Sequence, residues 1–389
     1  MNTSKQRLLW IVLLLLPAFL TGCEKLEPTS FIFDRGRQEL RAGNWSAAAA
    51  DFTEVIKREP QSEPAYADRA TAERRLKEYD LAISDYNRAL EINPRDGYAL
   101  WGRGMTKYGQ GAYDDAIADY YQAIQLNQTN AGAYYGLGLA QYSLTNYDDA
   151  INEFTHAIDL GENASVVYAY RGFARSKNGD LDGAIADYNR ALNLNSKDSA
   201  VYASRGDARA EKGDLDGAIA DYSAAINIYR KNPFAYESRS MALERKGDLA
   251  AAMVDANMAI ELNPTNSMAY NDRGWIEFIN KDFDASITDS TRSIQLDPEN
   301  GYAYGTRGWA RYCKGDVAGA VEDCKLSVKF SEPDSIHYYF DQGMLDFLAG
   351  DYQKAIENWQ KAIQQDAAAK SELQPWIDKA QAKLQGEKP

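Results

Sequence analysis

Residues 201–222 read VYASRGDARAEKGDLDGAIADY, and close variants of this stretch recur every 34 residues. Ten frames of this length follow one another, with one residue near Pro333 skipped to keep them in register. They cover 29–62, 63–96, 97–130, 131–164, 165–198, 199–232, 233–266, 267–300, 301–334 and 336–369. A fixed period of about 20–50 residues is typical of repeat architectures. The 389 residues are therefore expected to form a stack of repeats rather than one large core.

The spacing within a frame predicts two helices joined by a tight turn. Frame position 8 is Gly or Ala in most copies, and position 20 is Ala in nine, for example Gly206 and Ala218. Such small residues allow two helices to approach closely, while Tyr222 at position 24 fills the space beside them. Gly213 suits a left-handed helix end, and Asp214 can cap the helix that follows.

Period and residue pattern together resemble the tetratricopeptide repeat (TPR) over about 340 residues. The resemblance implies an all-α fold, a right-handed superhelical solenoid of antiparallel helix pairs. Each pair then has an apolar face that only its neighbour can cover.

The residues after the last frame predict a closing helix. Ser371-Glu372-Leu373-Gln374 has the form of a capping box. Leu373, Trp376, Ile377, Ala380 and Leu384 would form one apolar stripe. We expect residues 370–389 to be a C-terminal capping helix with a frayed tail.

The amino terminus differs from the repeats. A start containing Lys5 and Arg7 precedes an uncharged apolar run, Leu8 to Leu20, which is too short to span a bilayer and fits a signal peptide. The run ends in Leu20-Thr21-Gly22-Cys23, which resembles the lipobox of bacterial lipoproteins. The resemblance implies removal of residues 1–22, acylation at Cys23 and a short linker to residue 28. An ordinary secretory signal with a chance cysteine is the alternative.

Charge limits the partners. The formal net charge of −14 becomes −16 once Lys5 and Arg7 are removed. A body this acidic is repelled by phosphate backbones, so we expect no nucleic acid partner.

Frame positions 7 and 23 carry opposite charges. Position 7 is Arg in eight frames and position 23 is acidic in nine. We predict a structural ion-pair ladder that includes Arg171, Asp187, Arg205, Asp221, Arg239, Asp255, Arg273 and Asp289. A charged ligand track is the alternative, but partly buried arginines are normally paired.

Positions 2, 5, 9 and 12 share one face of each first helix. In TPR proteins, which this chain resembles, that face lines a concave groove. Here it is rich in aromatic residues, which partner-binding surfaces concentrate. The predicted groove residues are Tyr98, Trp101, Met105, Tyr108, Tyr135, Leu139, Tyr142, Met268, Trp275, Phe278, Tyr302, Trp309, Tyr312, Phe340, Met344 and Phe347. Packing between neighbouring first helices is the alternative, and it must hold for part of the set.

Other chemistry finds little support in the sequence. The Lys and Asn pattern of the TPR carboxylate clamp is missing, with Ala67 and Thr71 at one corresponding place. Cys313 and Cys324 are expected to be free, mostly covered thiols rather than a disulfide. We find no catalytic motif and predict no enzyme activity, no cofactor and no metal site.

The sequence favours a membrane-anchored adaptor or scaffold that binds other envelope proteins or peptides outside the cytoplasm. Glu24 after the lipid-bearing residue favours the outer membrane, facing the periplasm, if the host has one. A glycan-binding or peptidoglycan-binding protein and a self-assembling structural lipoprotein are the alternatives.

Overall fold

The computed structural model describes residues 27–386, except for the side chain of residue 368. Residues 1–26, which include the predicted signal peptide and Cys23, and residues 387–389 lie outside the described residues. The prediction of lipidation at Cys23 therefore stays a prediction.

Within residues 27–386 the chain forms 21 α-helices and one short 3-10 helix, Ala367–Ala369. The α-helices are α1 Thr29–Ala42, α2 Trp45–Arg58, α3 Glu63–Arg75, α4 Tyr79–Ile92, α5 Gly97–Gly109, α6 Tyr113–Leu126, α7 Ala131–Ser143, α8 Tyr147–Asp159, α9 Ser165–Lys177, α10 Leu181–Leu194, α11 Ser199–Glu211, α12 Leu215–Ile228, α13 Pro233–Arg245, α14 Leu249–Leu262, α15 Ser267–Ile279, α16 Phe283–Leu296, α17 Gly301–Cys313, α18 Val317–Phe330, α19 Ile336–Ala349, α20 Tyr352–Gln365 and α21 Lys370–Leu384.

The helices belong to two compact units. Unit 1 ends at Asn178 and contains α1–α9, and unit 2 begins at Gly179 and contains α10–α21. Within each unit the helices pack as antiparallel pairs, such as α5 with α6 and α17 with α18, and each second helix also packs against the next pair. The predicted all-α fold of stacked helix pairs is confirmed.

The turn inside each pair depends on a left-handed residue. Gly213 has a φ of 84° and would have open space around a Cβ, so glycine is present there for its backbone freedom. Asp214 follows and accepts a hydrogen bond from the backbone N–H of Gly217 over 3.0 Å, which caps α12. Lys77, Thr145 and Lys281 occupy the same frame position with φ values of 64–66°, so the turn geometry persists without glycine.

Small residues let the two helices of a pair touch. A Cβ on Gly206 would lie 2.7 Å from the ring of Tyr222, which is closer than real Cβ atoms come. Tyr222 is 2% exposed, and Ala218 and Ala225 beside it are fully buried. The large ring therefore fills the space that the glycine leaves, as the spacing predicts.

The last helix covers more than the end of the stack. Leu373, Ile377 and Ala380 of α21 are buried in one cluster with residues of α17, α19 and α20. The predicted capping box is wrong, because α21 begins at Lys370 and its cap residue is Ala369, which makes no side-chain cap. Ser371 therefore lies inside the first turn rather than before it.

Candidate functional site

Arg205 and Asp221 form a two-point ion pair across α11 and α12. Nη2 of Arg205 donates to Oδ1 of Asp221 over 2.5 Å, and Nε donates to Oδ2 over 2.8 Å. The remaining nitrogen, Nη1, donates to Oδ1 of Asn189 over 2.6 Å, and Asn189 lies on α10. One guanidinium therefore ties three successive helices together.

The same two-point pair recurs in both units. It joins Arg35 to Asp51, Arg69 to Asp85, Arg103 to Asp119, Arg239 to Asp255, Arg273 to Asp289 and Arg307 to Asp323. Arg171 lies in unit 1, where its Nη1 donates to Thr155 over 3.1 Å, and Asp187 is buried in unit 2.

The arginines after Arg35 have a second partner, which the pattern of positions 7 and 23 does not predict. Nη1 reaches a hydroxyl or amide oxygen sixteen residues earlier, at frame position 25 of the preceding repeat. These acceptors are Thr53, Asn87, Thr155, Asn189, Ser223, Asn257 and Thr291. The sequence contains the signal: position 25 is Asn, Ser or Thr before every frame with Arg at position 7, and it is Tyr121 or Lys325 before the two frames with Leu137 or Gln342 instead.

These bonds bear on the two interpretations of the ladder. In Arg205, Nε, Nη1 and Nη2 all donate to the protein itself, and the guanidinium lies 5.3 Å from the ring of Tyr202. Partly buried charges with all partners supplied stabilise the stack and leave little for a ligand. This geometry favours the interpretation of the ladder as a lock between repeats.

The predicted groove residues of unit 1 are mostly half-buried between neighbouring first helices. Tyr98 is 43% exposed, and its hydroxyl lies 2.8 Å from that of Thr71. Trp101 donates to the carbonyl of Gly132 over 3.0 Å. Met105, Tyr108, Tyr135 and Tyr142 pack in part against two core clusters. Leu139 is only 5% exposed and belongs to the core, so the groove prediction is wrong for this side chain.

In unit 2 the groove prediction is also wrong for three residues. Trp309 is 1% exposed, Met344 is fully buried and Phe347 is 6% exposed. The reason is α21, because the ring of its Trp376 lies 4.9 Å from that of Trp309 and covers it. Phe278, Tyr312 and Phe340 pack against the same cluster.

Beside this cluster unit 2 contains a cavity of about 430 Å³, which we name the acidic cavity. Helices α13, α15, α17 and α19 supply the first-helix face that the sequence predicts, and the segment from Asp366 to Glu372 closes one side. Its lining includes the predicted residues Met268, Trp275, Tyr302, Trp309 and Phe340. Met268 and Tyr302 are 37% and 43% exposed, so both remain accessible.

Five carboxyl groups also line the acidic cavity: Glu244, Asp272, Asp341, Asp366 and Glu372. Burial, with the charges of Glu237 and Glu244, raises the pKa of Asp272 to about 8. Burial, with the charges of Glu244 and Asp366, raises the pKa of Glu372 to about 7. These carboxyl groups are therefore close enough to oppose one another's ionisation.

Two of the carboxyl groups differ in their partners. Asp341 accepts hydrogen bonds from Nε1 of Trp309, over 2.8 Å, and from the hydroxyl of Ser327. Oδ2 of Asp272 is buried and accepts no hydrogen bond from any described residue. An acceptor left alone in this way costs free energy until something donates to it. The sequence offered no sign of this group, because acidic residues on helices are usually solvated.

Unit 1 contains a second cavity of opposite character. Arg37, Arg41, Arg75 and Asp68 line it, together with Trp45 and Tyr98. Nε of Arg37 donates to Oδ2 of Asp68 over 2.7 Å. The guanidinium of Arg75 lies 5.7 Å from the ring of Trp45. This site is basic, but its one acid is already paired.

The remaining candidate chemistry is limited. Cys313 and Cys324 are free thiols, as expected, although Cys313 is exposed rather than covered. In residues 27–386 no group of three or more His, Cys, Asp or Glu side chains could hold a metal ion. Over the same residues, every helix is too short or too polar to cross a membrane.

Comparison with known proteins agrees with this architecture. Models of the tetratricopeptide repeat match residues 33–97, 131–163 and 172–236, and a further TPR repeat model matches 104–145. A search of curated proteins finds no match.

Solved structures match at the level of the fold. Pseudomonas aeruginosa PilF aligns with 20% identity over 55% of this chain and 97% of its own, with a TM-score of 0.51. The Cut9–Hcn1 hetero-tetramer of the APC/C aligns with 13% identity over 90% of this chain and 76% of its own, also at 0.51. The repeat models, together with the helix pairs and their small-to-large packing, show that the chain contains tetratricopeptide repeats.

Proposed function

We propose that this chain is a lipid-anchored scaffold of a bacterial cell envelope, which holds partner proteins on the first-helix face of unit 2. The observation that carries the proposal is the rim of the acidic cavity. Met241, Met268 and Tyr302 are 50%, 37% and 43% exposed there, beside the indole of Trp275. Accessible aromatic and methionine side chains around a recess are typical of protein-binding surfaces.

The anchor and the compartment rest on the sequence alone. Leu20-Thr21-Gly22-Cys23 resembles a lipobox, and several acyl chains at Cys23 would hold the protein durably at a membrane. Glu24 favours the outer membrane where the host has one. Mass spectrometry of the amino-terminal peptide tests this directly. Acyl chains on Cys23 support the anchor, and an unmodified amino terminus or a cut elsewhere contradicts it.

Glycan binding through Trp275 and Trp309 is the rival function. The structure weakens it, because Trp309 is 1% exposed and gives its indole N–H to Asp341, so its face is not free to stack on a sugar. No catalytic activity is proposed.

Crosslinking mass spectrometry in the native host tests the scaffold. We expect crosslinks from the unit 2 first-helix face to other envelope proteins. A pull-down with purified peptidoglycan strands is the control. Retention of the strands without any protein partner would contradict the proposal and favour the rival.

A further inference from the structure

The acidic cavity contains more acidic than basic side chains. Of the described residues that line it, only Arg245 is positively charged, because burial lowers the pKa of His337 to about 4. Arg245 is exposed at the rim, where its Nη1 donates to the carbonyl of Ala210 over 3.3 Å. Five carboxyl groups therefore face a single cation that is already bonded elsewhere.

The buried aspartates of the ion-pair ladder in unit 2 have different surroundings. Asp221, Asp255 and Asp289 are each matched by an arginine in a two-point pair. Asp272 lies on the same helix as Arg273, yet that arginine pairs with Asp289 and leaves Oδ2 of Asp272 without a donor. Oε2 of Glu73, Glu153 and Glu277 also lacks a donor, but of these four acids only Asp272 lines the acidic cavity.

The aromatic walls of the cavity fit a flat cation. Trp275 stacks on Phe278 with ring centres 5.2 Å apart, and the ring of Phe340 stands edge-on to Trp275 at 6.1 Å. A guanidinium stacks on such rings and donates in a fork to a carboxylate, whereas a lysine ammonium does only part of this. The volume of about 430 Å³ lies within the range of small-ligand pockets and accommodates one long side chain.

We infer that the acidic cavity binds a cationic side chain, arginine by preference, presented by a partner protein. The inference rests on the proposed scaffold function and names the chemistry of its partner. Asp272 supplies the acceptor that lacks a donor, Glu372 and Glu244 supply the surrounding field, and Trp275 supplies the stacking face. An acidic peptide would meet repulsion from the same groups and is excluded.

Isothermal titration calorimetry on the full chain in mild detergent tests the inference. The probes are three acetylated and amidated pentapeptides, Ala-Ala-X-Ala-Ala, in which X is arginine, citrulline or glutamate. Citrulline matches arginine in shape but carries no charge. We expect the arginine peptide to bind at least about tenfold more tightly than the other two, since one charge-assisted pair contributes this much.

Variants connect the binding to the named residues. Asp272→Asn and Glu372→Gln should each lower the affinity for the arginine peptide about tenfold. Glu299→Gln makes the same acid-to-amide change at an exposed residue outside the cavity lining and should change the affinity less than about twofold. Both cavity variants keep the shape of the side chain and remove an acid from a buried site, so an unchanged melting curve excludes unfolding as the cause.

Equal binding of the arginine and citrulline peptides, or no loss of affinity in Asp272→Asn and Glu372→Gln, would overturn the inference. The same variants separate it from the proposed function. If wild type and both variants crosslink to the same envelope proteins in the host, the scaffold stands and the cavity inference fails. If the arginine peptide binds as expected but no protein crosslinks form, the scaffold fails.

Discussion

Arg205 bridges two neighbours at once: its guanidinium is held by two hydrogen bonds to Asp221 in its own helix pair, and by one to Asn189 in the helix before it. Arg205→Ala would leave Arg209, whose Nη1 donates to Oδ2 of Asp221 over 2.8 Å, as the remaining charged partner of the buried carboxylate. Asp221→Ala would leave the guanidinium of Arg205 with Asn189 as its acceptor. Each should cost about 2 kcal/mol of unfolding free energy, measured by urea denaturation, because hydrogen bonds to a charged group are lost. The double variant should cost much less than the sum of the two single variants, because it removes both members of the pair and leaves neither without its partner. Additive costs would show that the pair contributes no coupling.

The bond from Arg205 to the preceding helix predicts a smaller effect. Asn189→Ala should cost about 1 kcal/mol in the same urea experiment, because one hydrogen bond to a charged group is lost. Lys325→Ala is the matched control, since Lys325 occupies the same frame position before a repeat that has Gln342 in place of arginine. Equal costs for the two variants would contradict the lock between repeats.

Substitution of Trp309 should mainly affect stability, whereas substitution of Trp275 should mainly affect binding. Trp309→Ala opens a space in the core shared with Met344 and Trp359, so the free energy of unfolding should fall by about 3–5 kcal/mol. Trp275→Ala should cost clearly less in thermal or urea unfolding but weaken the arginine peptide, because Trp275 is half-buried in the cavity wall. The reverse order of the two costs would show that α21 does not cover Trp309.

The carboxyl group of Asp272 predicts a dependence of stability on pH. Its pKa rises from 3.8 to about 8 on folding, so the folded state holds its proton more tightly than the unfolded state. The resulting stability is complete below about pH 4 and is lost as the pH rises towards 8. Asp272→Asn cannot lose a proton, so its advantage over wild type should grow by about 1–3 kcal/mol between pH 5 and pH 8.

Urea midpoints of wild type and variant at pH 5 and pH 8 measure this difference. The stability of Glu299→Gln relative to wild type should be the same at both pH values. The other titratable or charged groups around Asp272 are shared by wild type and variant: Glu237, Glu244, Arg245, His337, Asp341, Asp366 and Glu372. An advantage of Asp272→Asn that is the same at both pH values would mean that Asp272 is ionised throughout.

Much of the fold was predictable because the 34-residue period places the same residue types at the same heights in every helix pair. The spacing between Gly206 and Tyr222 alone predicts the contact that the structure shows. The pairing of position 7 with position 23 was predictable for the same reason. The hydrogen bond to Asn189 was not predicted, because short polar residues are common on helix surfaces and most of them face solvent.

The candidate site was less predictable because it depends on a helix outside the repeats. An apolar stripe predicts that α21 packs somewhere, but not that Trp376 lies on Trp309. That one contact converts part of the expected groove into core. The same segment brings Glu372 to the wall of the acidic cavity, about one hundred residues beyond Asp272 in sequence. The repeat period alone cannot predict a contact between a repeat and a segment outside the repeats.

The central claim is that the first-helix face of unit 2 holds a partner protein, and a photo-crosslinking amino acid at Tyr302 tests it most directly. Tyr302 is 43% exposed and lines the acidic cavity, whereas Tyr229, 54% exposed, does not line it and is the matched control. After irradiation of intact host cells, the account predicts discrete adducts with other proteins from position 302, reduced by Asp272→Asn, and none of those adducts from position 229. Identical adducts from both positions, or none from position 302, would contradict it.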